Sequence, residues 1–195
     1  MARPRQFDEE TVLHAVCEQF WDAGYAGTSL QDLMRVSGLG KGSLYAAFGD
    51  KHELFLRVLR RYTDAVDRGV RRTVESAPRA VEALRAFVVS PVGDPDGAAA
   101  RRGCLLANTT TELAATDPVV AEEARRTYAG ITQVLAQAVA RAQEEGDVPA
   151  SADPEETARA LLAAQQGVTY LGRTGMDVRT LEATARSLAD RLLPV

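Results

Sequence analysis

The chain has 195 residues, 46% of them hydrophobic, and a formal net charge of −4 at pH 7. This length is enough to bury a substantial core, and the acidic balance argues against a protein that coats nucleic acid without regard to sequence. The opening MARPRQFDEE contains no apolar run, and no later stretch of the sequence approaches the length of a membrane span. We therefore expect no signal peptide and a cytoplasmic location.

Helical periodicity dominates the chain. Apolar residues recur every three or four positions, and the sequence contains no run of alternating β-branched residues. We therefore predict an all-α fold of about nine helices. A short basic arm with Arg3 and Arg5 precedes a first helix from about Asp8 to Ala23, which Gly24 ends.

The segment TSLQDLMRVSGLGKGSLYAAFGDK, residues 28–51, predicts a helix-turn-helix. Thr28 and Ser29 are typical helix-start residues, and the two glycines within Ser37–Gly40 favour a tight turn. The second helix opens at Lys41, and its apolar spacing leaves its polar side chains facing away from the core. Those side chains are Lys41, Ser43 and Tyr45. The second helix of such a motif enters the major groove of DNA.

Beyond this motif the sequence predicts a long fourth helix and five more. The fourth helix starts at Gly49-Asp50 and continues to about Ser76, and Ser90 to Gly103 is the clearest loop because it holds two prolines and three glycines. The remaining helices are predicted from Pro78, from Cys104 to Ala115, from Asp117 to Gly146, from Asp153 to Gly172 and from Asp177 to Leu193. We place a domain boundary inside the fourth helix, which gives domains of residues 1–53 and 54–195.

The first quarter of the chain resembles the TetR family of one-component transcriptional repressors. The resemblance rests on many positions in register, namely Phe20…Gly24-Tyr25, Gly27-Thr28-Ser29, Lys41-Gly42-Ser43-Leu44-Tyr45…Phe48 and Asp50-Lys51…Leu54-Phe55. It implies a DNA-binding domain that the fourth helix joins to a helical ligand-binding and dimerisation domain. By the same resemblance, the residues expected at DNA are Thr28, Ser29, Lys41, Gly42, Ser43, Tyr45 and Lys51.

The resemblance also implies a homodimer and an effector pocket. In the family the last two helices pair across a two-fold axis; the alternative is that they only close the core of the monomer. Helices five to eight are expected to enclose a pocket for a small effector, which needs a few polar groups in an apolar lining. The candidates are Asn108, Thr109, Tyr128, Gln165, Gln166 and Tyr170. The alternative is that these groups are exposed or hydrogen-bonded to one another.

Charge and cysteine chemistry leave two questions open. Residues 1–53 carry five basic and eight acidic side chains, so their formal charge is −3, which argues against DNA binding. Cys104 follows Arg101-Arg102 at a helix start, where a thiolate is favoured; the alternative is a small buried hydrophobe. His14 and Cys17 lie three residues apart, but two ligands do not close a metal site.

These observations favour a ligand-responsive transcriptional regulator, a repressor by family habit, which binds a palindromic operator as a homodimer and is released by a small effector. One alternative is a redox- or electrophile-sensing regulator of the same fold that uses Cys104. Another is a helical small-molecule-binding module without DNA activity, in keeping with the acidic charge. We expect neither an enzyme nor a cofactor, because the sequence contains no catalytic cluster, metal-binding or dinucleotide-binding pattern.

Overall fold

The computed structural model describes residues 7–94 and 96–194, and all regular structure in this part of the chain is helical. The helices are α1 (Glu9–Gly27), α2 (Leu30–Ser37), α3 (Lys41–Phe48), α4 (Lys51–Ser76), α5 (Ala80–Val89), α6 (Ala98–Arg102), α7 (Leu105–Leu113), α8 (Pro118–Glu144), α9 (Pro154–Arg173) and α10 (Val178–Leu192). None of these described helices is both long enough and apolar enough to span a membrane. The predicted all-α class is confirmed, and the predicted basic arm with Arg3 and Arg5 lies outside the described residues.

The segment from Ser90 to Gly103 is more ordered than the sequence predicts. It begins with a short 3-10 helix, Ser90–Val92, and contains α6. Alanine and arginine, which make up α6, are strong helix formers. Gly97 and Gly103 flank α6 with positive φ angles of 65° and 73°, which limits the helix to five residues. The nine predicted helices are all present in the described residues, and α6 is an additional one.

Side-chain caps begin most of the longer helices. Four aspartates each accept a hydrogen bond from a backbone N–H in the first turn of the helix that follows. These aspartates are Asp8, Asp117, Asp153 and Asp177. Two further helices begin with reciprocal capping boxes, formed by Ser29 with Asp32 and by Asp50 with Glu53. Local chemistry therefore fixes where these helices start.

The first hydrophobic core joins the four N-terminal helices to α7 and α8. Its fully buried side chains come from all six helices and include Phe20, Leu33, Leu44, Phe55, Leu105 and Val120. This core therefore extends across the predicted domain boundary, which falls in the first turn of α4. The boundary between residues 53 and 54 stays a prediction.

The second hydrophobic core lies among α5, α8, α9 and α10. Its fully buried side chains include Leu84, Leu135, Leu161 and Val139. The second half of α4 packs along its edge through the partly buried Val66, Val70 and Val74. Because α4 contributes to both cores, it is the rigid element that connects the helix-turn-helix to the rest of the molecule.

Candidate nucleic-acid interface and ligand cavity

Hydrogen bonds and a glycine fix α2 at both ends. Gly38 ends the helix with a left-handed φ of 67°, which glycine adopts without steric cost. At the start, the Ser29 hydroxyl donates to Asp32 Oδ2 at 2.6 Å, and the Asp32 N–H donates to Ser29 Oγ at 3.1 Å. The Ser29 hydroxyl and the Ser29 N–H both donate to the Asp32 carboxylate, and these hydrogen bonds lower the pKa of Asp32 to about 2. The turn that presents α3 is therefore built on a firmly capped helix.

α3 presents a polar face on a buried apolar support. Leu44 and Phe48 are buried in the first core. The exposed residues of its first turn are Lys41, Gly42 and Ser43, and Tyr45 is half-buried. Lys41 Nζ lies 5.8 Å from the Tyr45 ring centroid, so the two side chains share one side of the helix. Gly40, the residue before α3, has no side chain that could cap the helix. The first backbone N–H groups of α3 therefore have no side-chain hydrogen-bond acceptor.

Thr28 and Lys51, both predicted at DNA, differ in their exposure. Thr28 is 1% exposed, and its hydroxyl donates to the Gly24 carbonyl at 2.7 Å. The Thr28 side chain secures the junction between α1 and α2, and we therefore remove it from the candidate surface. Lys51 is half-exposed at the first residue of α4, with Nζ 4.3 Å from the centroid of the Tyr25 ring.

Arginines from later in the chain pair with the acidic residues of α1. The partners are Arg57 for Glu9, Arg61 for Glu10, and Arg102 for both Glu18 and Asp22. Because opposite charges at these short distances largely cancel each other's field, the formal charge of −3 over residues 1–53 overstates the negative potential around α3. The charge argument against DNA binding is weakened accordingly.

Two polar contacts tie the helix-turn-helix unit to the helices that follow it. The Glu112 carboxylate, on α7, accepts hydrogen bonds from the N–H groups of Tyr25 and Ala26 at 3.0 and 2.6 Å. His52 Nε2 lies 2.6 Å from Asp117 Oδ2, which joins the first turn of α4 to the cap of α8. These contacts link α7 and the start of α8 to the base of the helix-turn-helix.

A cavity of about 860 Å³ lies between the two cores. Its wall is mainly apolar and comes from α1, from α4 to α9 and from the 3-10 helix Ser90–Val92. Of the residues predicted at an effector pocket, Tyr128, Gln165 and Gln166 line it, and Cys104 lines it as well. Eight further aromatic or uncharged polar residues of this wall could not be predicted from the sequence; they are Trp21, Tyr62, Thr63, Thr73, Phe87, Ser90, Thr127 and Thr169.

The other three predicted pocket residues lie outside this cavity. Asn108 Nδ2 donates to the Arg102 carbonyl at 3.1 Å, Thr109 is buried, and Tyr170 is 71% exposed on α9. All three border a second cavity of about 470 Å³ between α1, α7 and α9. The predicted residues are therefore divided between two cavities, and the assignment of Asn108, Thr109 and Tyr170 to an effector pocket stays a prediction.

The two cysteines occupy different environments, and both are free thiols. Cys104 is the N-cap residue of α7, and its half-buried Sγ accepts a hydrogen bond from the Tyr62 hydroxyl at 3.5 Å. Cys17 is buried in the first core, and burial raises its pKa to about 11. Within the described residues, no group of three His, Cys, Asp or Glu side chains is placed to hold a metal ion.

Two protein families match this chain, one on each half. Residues 12–58 match the family described as bacterial regulatory proteins, tetR family. Residues 80–188 match the tetracyclin repressor-like C-terminal domain. The first match covers the helix-turn-helix, and the second covers α5 to most of α10.

The similarity to known proteins extends over nearly the full length of the chain. The uncharacterized HTH-type transcriptional regulator YezE of Bacillus subtilis is 30% identical over 93% of this chain and 94% of its own. The HTH-type transcriptional repressor ComR of Escherichia coli is 28% identical over 92% of this chain and 86% of its own. A cysteine mutant of the TetR family transcriptional regulator CifR, complexed with 26 bp double-strand operator DNA, is 26% identical, with a TM-score of 0.83 over 99% of this chain and 100% of that one. The chain therefore belongs to the TetR family of helix-turn-helix transcriptional regulators.

Proposed function

We propose that the protein is a transcriptional repressor that binds a palindromic operator in the cytoplasm as a homodimer and leaves it when a small effector binds. The observation that carries this proposal is the polar face of α3. Lys41 and Ser43 stand outward at its exposed, uncapped N-terminus, held by Leu44 and Phe48 in the first core. Lysine and hydroxyl side chains on such a helix are suited to phosphate and base contacts.

A homodimer follows from the size of α3. Eight residues contact few base pairs, and helix-turn-helix proteins gain specificity by placing two such helices about 34 Å apart in successive major grooves. Small or hydroxyl-bearing residues on the outer faces of α9 and α10 permit close approach of a second copy; these are Ala163, Gly167, Ala183 and Ser187, all exposed. We place the two-fold contact on these faces. The related CifR protein binds double-strand operator DNA, which supports the same mode of action here.

Release by an effector is supported by the route from the cavity to the helix-turn-helix. α7 begins beside the cavity at Cys104 and carries Glu112, which holds the end of α1. An effector that moves α7 or α4 changes the spacing of the two α3 helices in the dimer. Because such coupling is reciprocal, the operator weakens effector binding by the same factor by which the effector weakens operator binding.

Selection of fragments bound from the genome of the host, followed by binding assays with the recovered site, tests the proposal. Lys41→Ala is expected to weaken operator binding by about 5- to 150-fold, the effect of losing 1–3 kcal/mol of base or phosphate contact. Arg125→Ala is the matched control, since Arg125 is an exposed cation on α8 that pairs with Glu122, and it should leave affinity unchanged. Absence of sequence-selective binding would favour a helical ligand-binding module without DNA activity. Equal affinity of Lys41→Ala and wild type for the recovered site would contradict the assignment of Lys41 to the DNA contact.

A further inference from the structure

The wall of the 860 Å³ cavity offers no free charge to a ligand. Among the described residues that line it, the one charged side chain is Arg102. Its Nε and Nη1 lie 2.8 Å from Asp22 and Glu18 carboxylate oxygens, and Nη2 donates to the Glu18 carbonyl at 3.3 Å. The guanidinium carbon also stands 4.3 Å from the centroid of the Trp21 ring. The donors of Arg102 are thus engaged by α1 and not by the cavity.

Most polar groups on the wall are also satisfied within the protein. Five hydroxyls donate to the backbone carbonyl of a residue three or four positions earlier, and Tyr62 donates to Cys104 Sγ. The five are Thr63, Thr73, Ser90, Thr127 and Thr169. Because these hydroxyls are already hydrogen-bonded, the five residues contribute mainly their methyl or methylene groups to the cavity wall. The lining is therefore more apolar than its residue types suggest.

Three groups on α8 and α9 keep hydrogen-bonding capacity for a ligand. The Tyr128 hydroxyl has no hydrogen-bond partner among the described residues, and burial raises its pKa, so it stays a neutral donor at physiological pH. Gln166 Nε2 donates to Gln165 Oε1 at 2.8 Å. That bond leaves the Gln165 amide nitrogen free to donate and the Gln166 carbonyl free to accept.

We infer that this cavity binds an uncharged, mainly apolar molecule carrying a hydrogen-bonding oxygen, which Tyr128 and the Gln165–Gln166 amide pair anchor. Burying an unpaired carboxylate or ammonium here is costly because no free counter-charge faces it. The volume suits a ligand of ordinary drug-like size. This inference rests on the proposed function, in which the molecule bound by the cavity is the effector.

Displacement of the neutral dye Nile red by three ligands of equal chain length tests the charge preference at pH 7.5. The ligands are 1-decanol, decanoate and decylammonium, which are respectively neutral, anionic and cationic at this pH. We expect decanol to displace the dye at concentrations at least about tenfold lower than either ion, which corresponds to a cost of about 1.4 kcal/mol for burying the charge. Equal or stronger displacement by decanoate or decylammonium would overturn the inference.

Two variants locate the binding. Tyr128→Phe removes one hydrogen bond and should raise the apparent dissociation constant of decanol about fivefold, the effect of about 1 kcal/mol. Gly69→Trp should abolish dye binding, because Gly69 lines the cavity and no atom lies within 4 Å of where its Cβ would stand. Gly27→Trp is the control, since Gly27 lies on α1 outside the cavity and its Cβ position meets only Ala23 at 3.7 Å.

Dye binding that survives in Gly69→Trp, or decanol affinity that is unchanged in Tyr128→Phe, contradicts the inference. If the circular dichroism of Gly69→Trp shows that it does not fold, the Tyr128→Phe result decides alone. None of these measurements involves DNA. A charge preference as expected, together with no operator binding, would therefore overturn the proposed function and leave the ligand class standing.

Discussion

At the scale of single residues, the two cysteines show how position decides the reactivity of one side-chain type. The thiolate is the reactive form of cysteine. Burial raises the pKa of Cys17 from 9.0 to about 11, which lowers its thiolate fraction at neutral pH about a hundredfold. Cys104 is half-buried at the cavity wall. The alternative of a thiol-based sensor therefore rests on Cys104 alone.

Labelling of the folded protein with N-ethylmaleimide at pH 7.5 is expected to modify Cys104 and leave Cys17 intact. Peptide mass spectrometry after a short reaction measures both sites in one sample. Cys104→Ser should abolish labelling, and unfolding in urea should expose both thiols equally in the wild type. If Cys104 stays unmodified while the chain is folded, the thiol-sensor alternative is excluded for this conformation.

At the scale of elements, the contact between α4 and α8 is a pH-sensitive joint. Burial raises the pKa of Asp117, but hydrogen bonds from His52 and from the N–H groups of Val120 and Val119 outweigh it, so the pKa lies below the ordinary value. A carboxyl with a lowered pKa stabilises the fold fully above its unfolded pKa, about 4. This stabilisation is lost as the pH falls through the folded value.

Asp117→Asn is therefore expected to make the free energy of unfolding less dependent on pH in the acidic range. Asparagine still caps α8, so the variant isolates the charge from the cap. Urea unfolding at pH 5, 4 and 3 should show that the wild type loses more free energy of unfolding over this range than the variant does. Identical slopes for the two proteins would mean that the charge on Asp117 does not contribute to the joint.

The helix-turn-helix could be predicted from sequence because its determinants are local. The Ser29 cap and the Gly38 turn depend on residues within one or two helical turns, and the four-residue spacing of Leu44 and Phe48 marks the side of α3 that is buried. The cavity is different, because its wall is assembled from seven α-helices, from α1 with Trp21 to α9 with Thr169. No spacing along one helix reveals which distant helix leaves a space beside it.

Gln166 and Tyr170 illustrate this limit. They lie one helical turn apart on α9, which suggests one shared wall, and both border the cavity of about 470 Å³. Only Gln166 also lines the larger cavity, while Tyr170 is 71% exposed. Near its C-terminal end α9 turns Val168 and Gly172 inward, and a Cβ at Gly172 would lie 2.7 Å from the Ala100 carbonyl of α6. This close approach is set by α6, the helix that the sequence does not predict.

At the scale of the whole molecule, tertiary structure changes the meaning of the charge distribution. The acidic surplus of residues 1–53 is paired by Arg57, Arg61 and Arg102, all of which lie beyond that segment in sequence. The formal charge of a sequence segment does not include ion pairs with residues outside that segment. The exposed lysine of α3 therefore acts in a field that is less negative than the sequence alone indicates.

At the same scale, one large and exposed apolar side chain lies on the face that we propose for the dimer contact. Tyr170 and Val119 are the exposed large hydrophobic side chains in the described part of the chain, at 71% and 39%. Tyr170 projects from the outer face of α9, whereas Val119 lies in the first turn of α8. Tyrosine is enriched among the residues that contribute most to interfaces, so we assign Tyr170 to the two-fold contact.

Tyr170→Arg should convert the dimer to a monomer at micromolar concentration, because a charge replaces an aromatic anchor at the centre of the contact. Loss of about 2 kcal/mol or more at such a position weakens association about thirtyfold or more, and operator affinity should fall with it. Val119→Arg, the matched control, should keep both the dimer and DNA binding. Sedimentation equilibrium measures the association, and circular dichroism checks that both variants fold. A Tyr170→Arg protein that is still dimeric would place the two-fold contact on another face of the molecule.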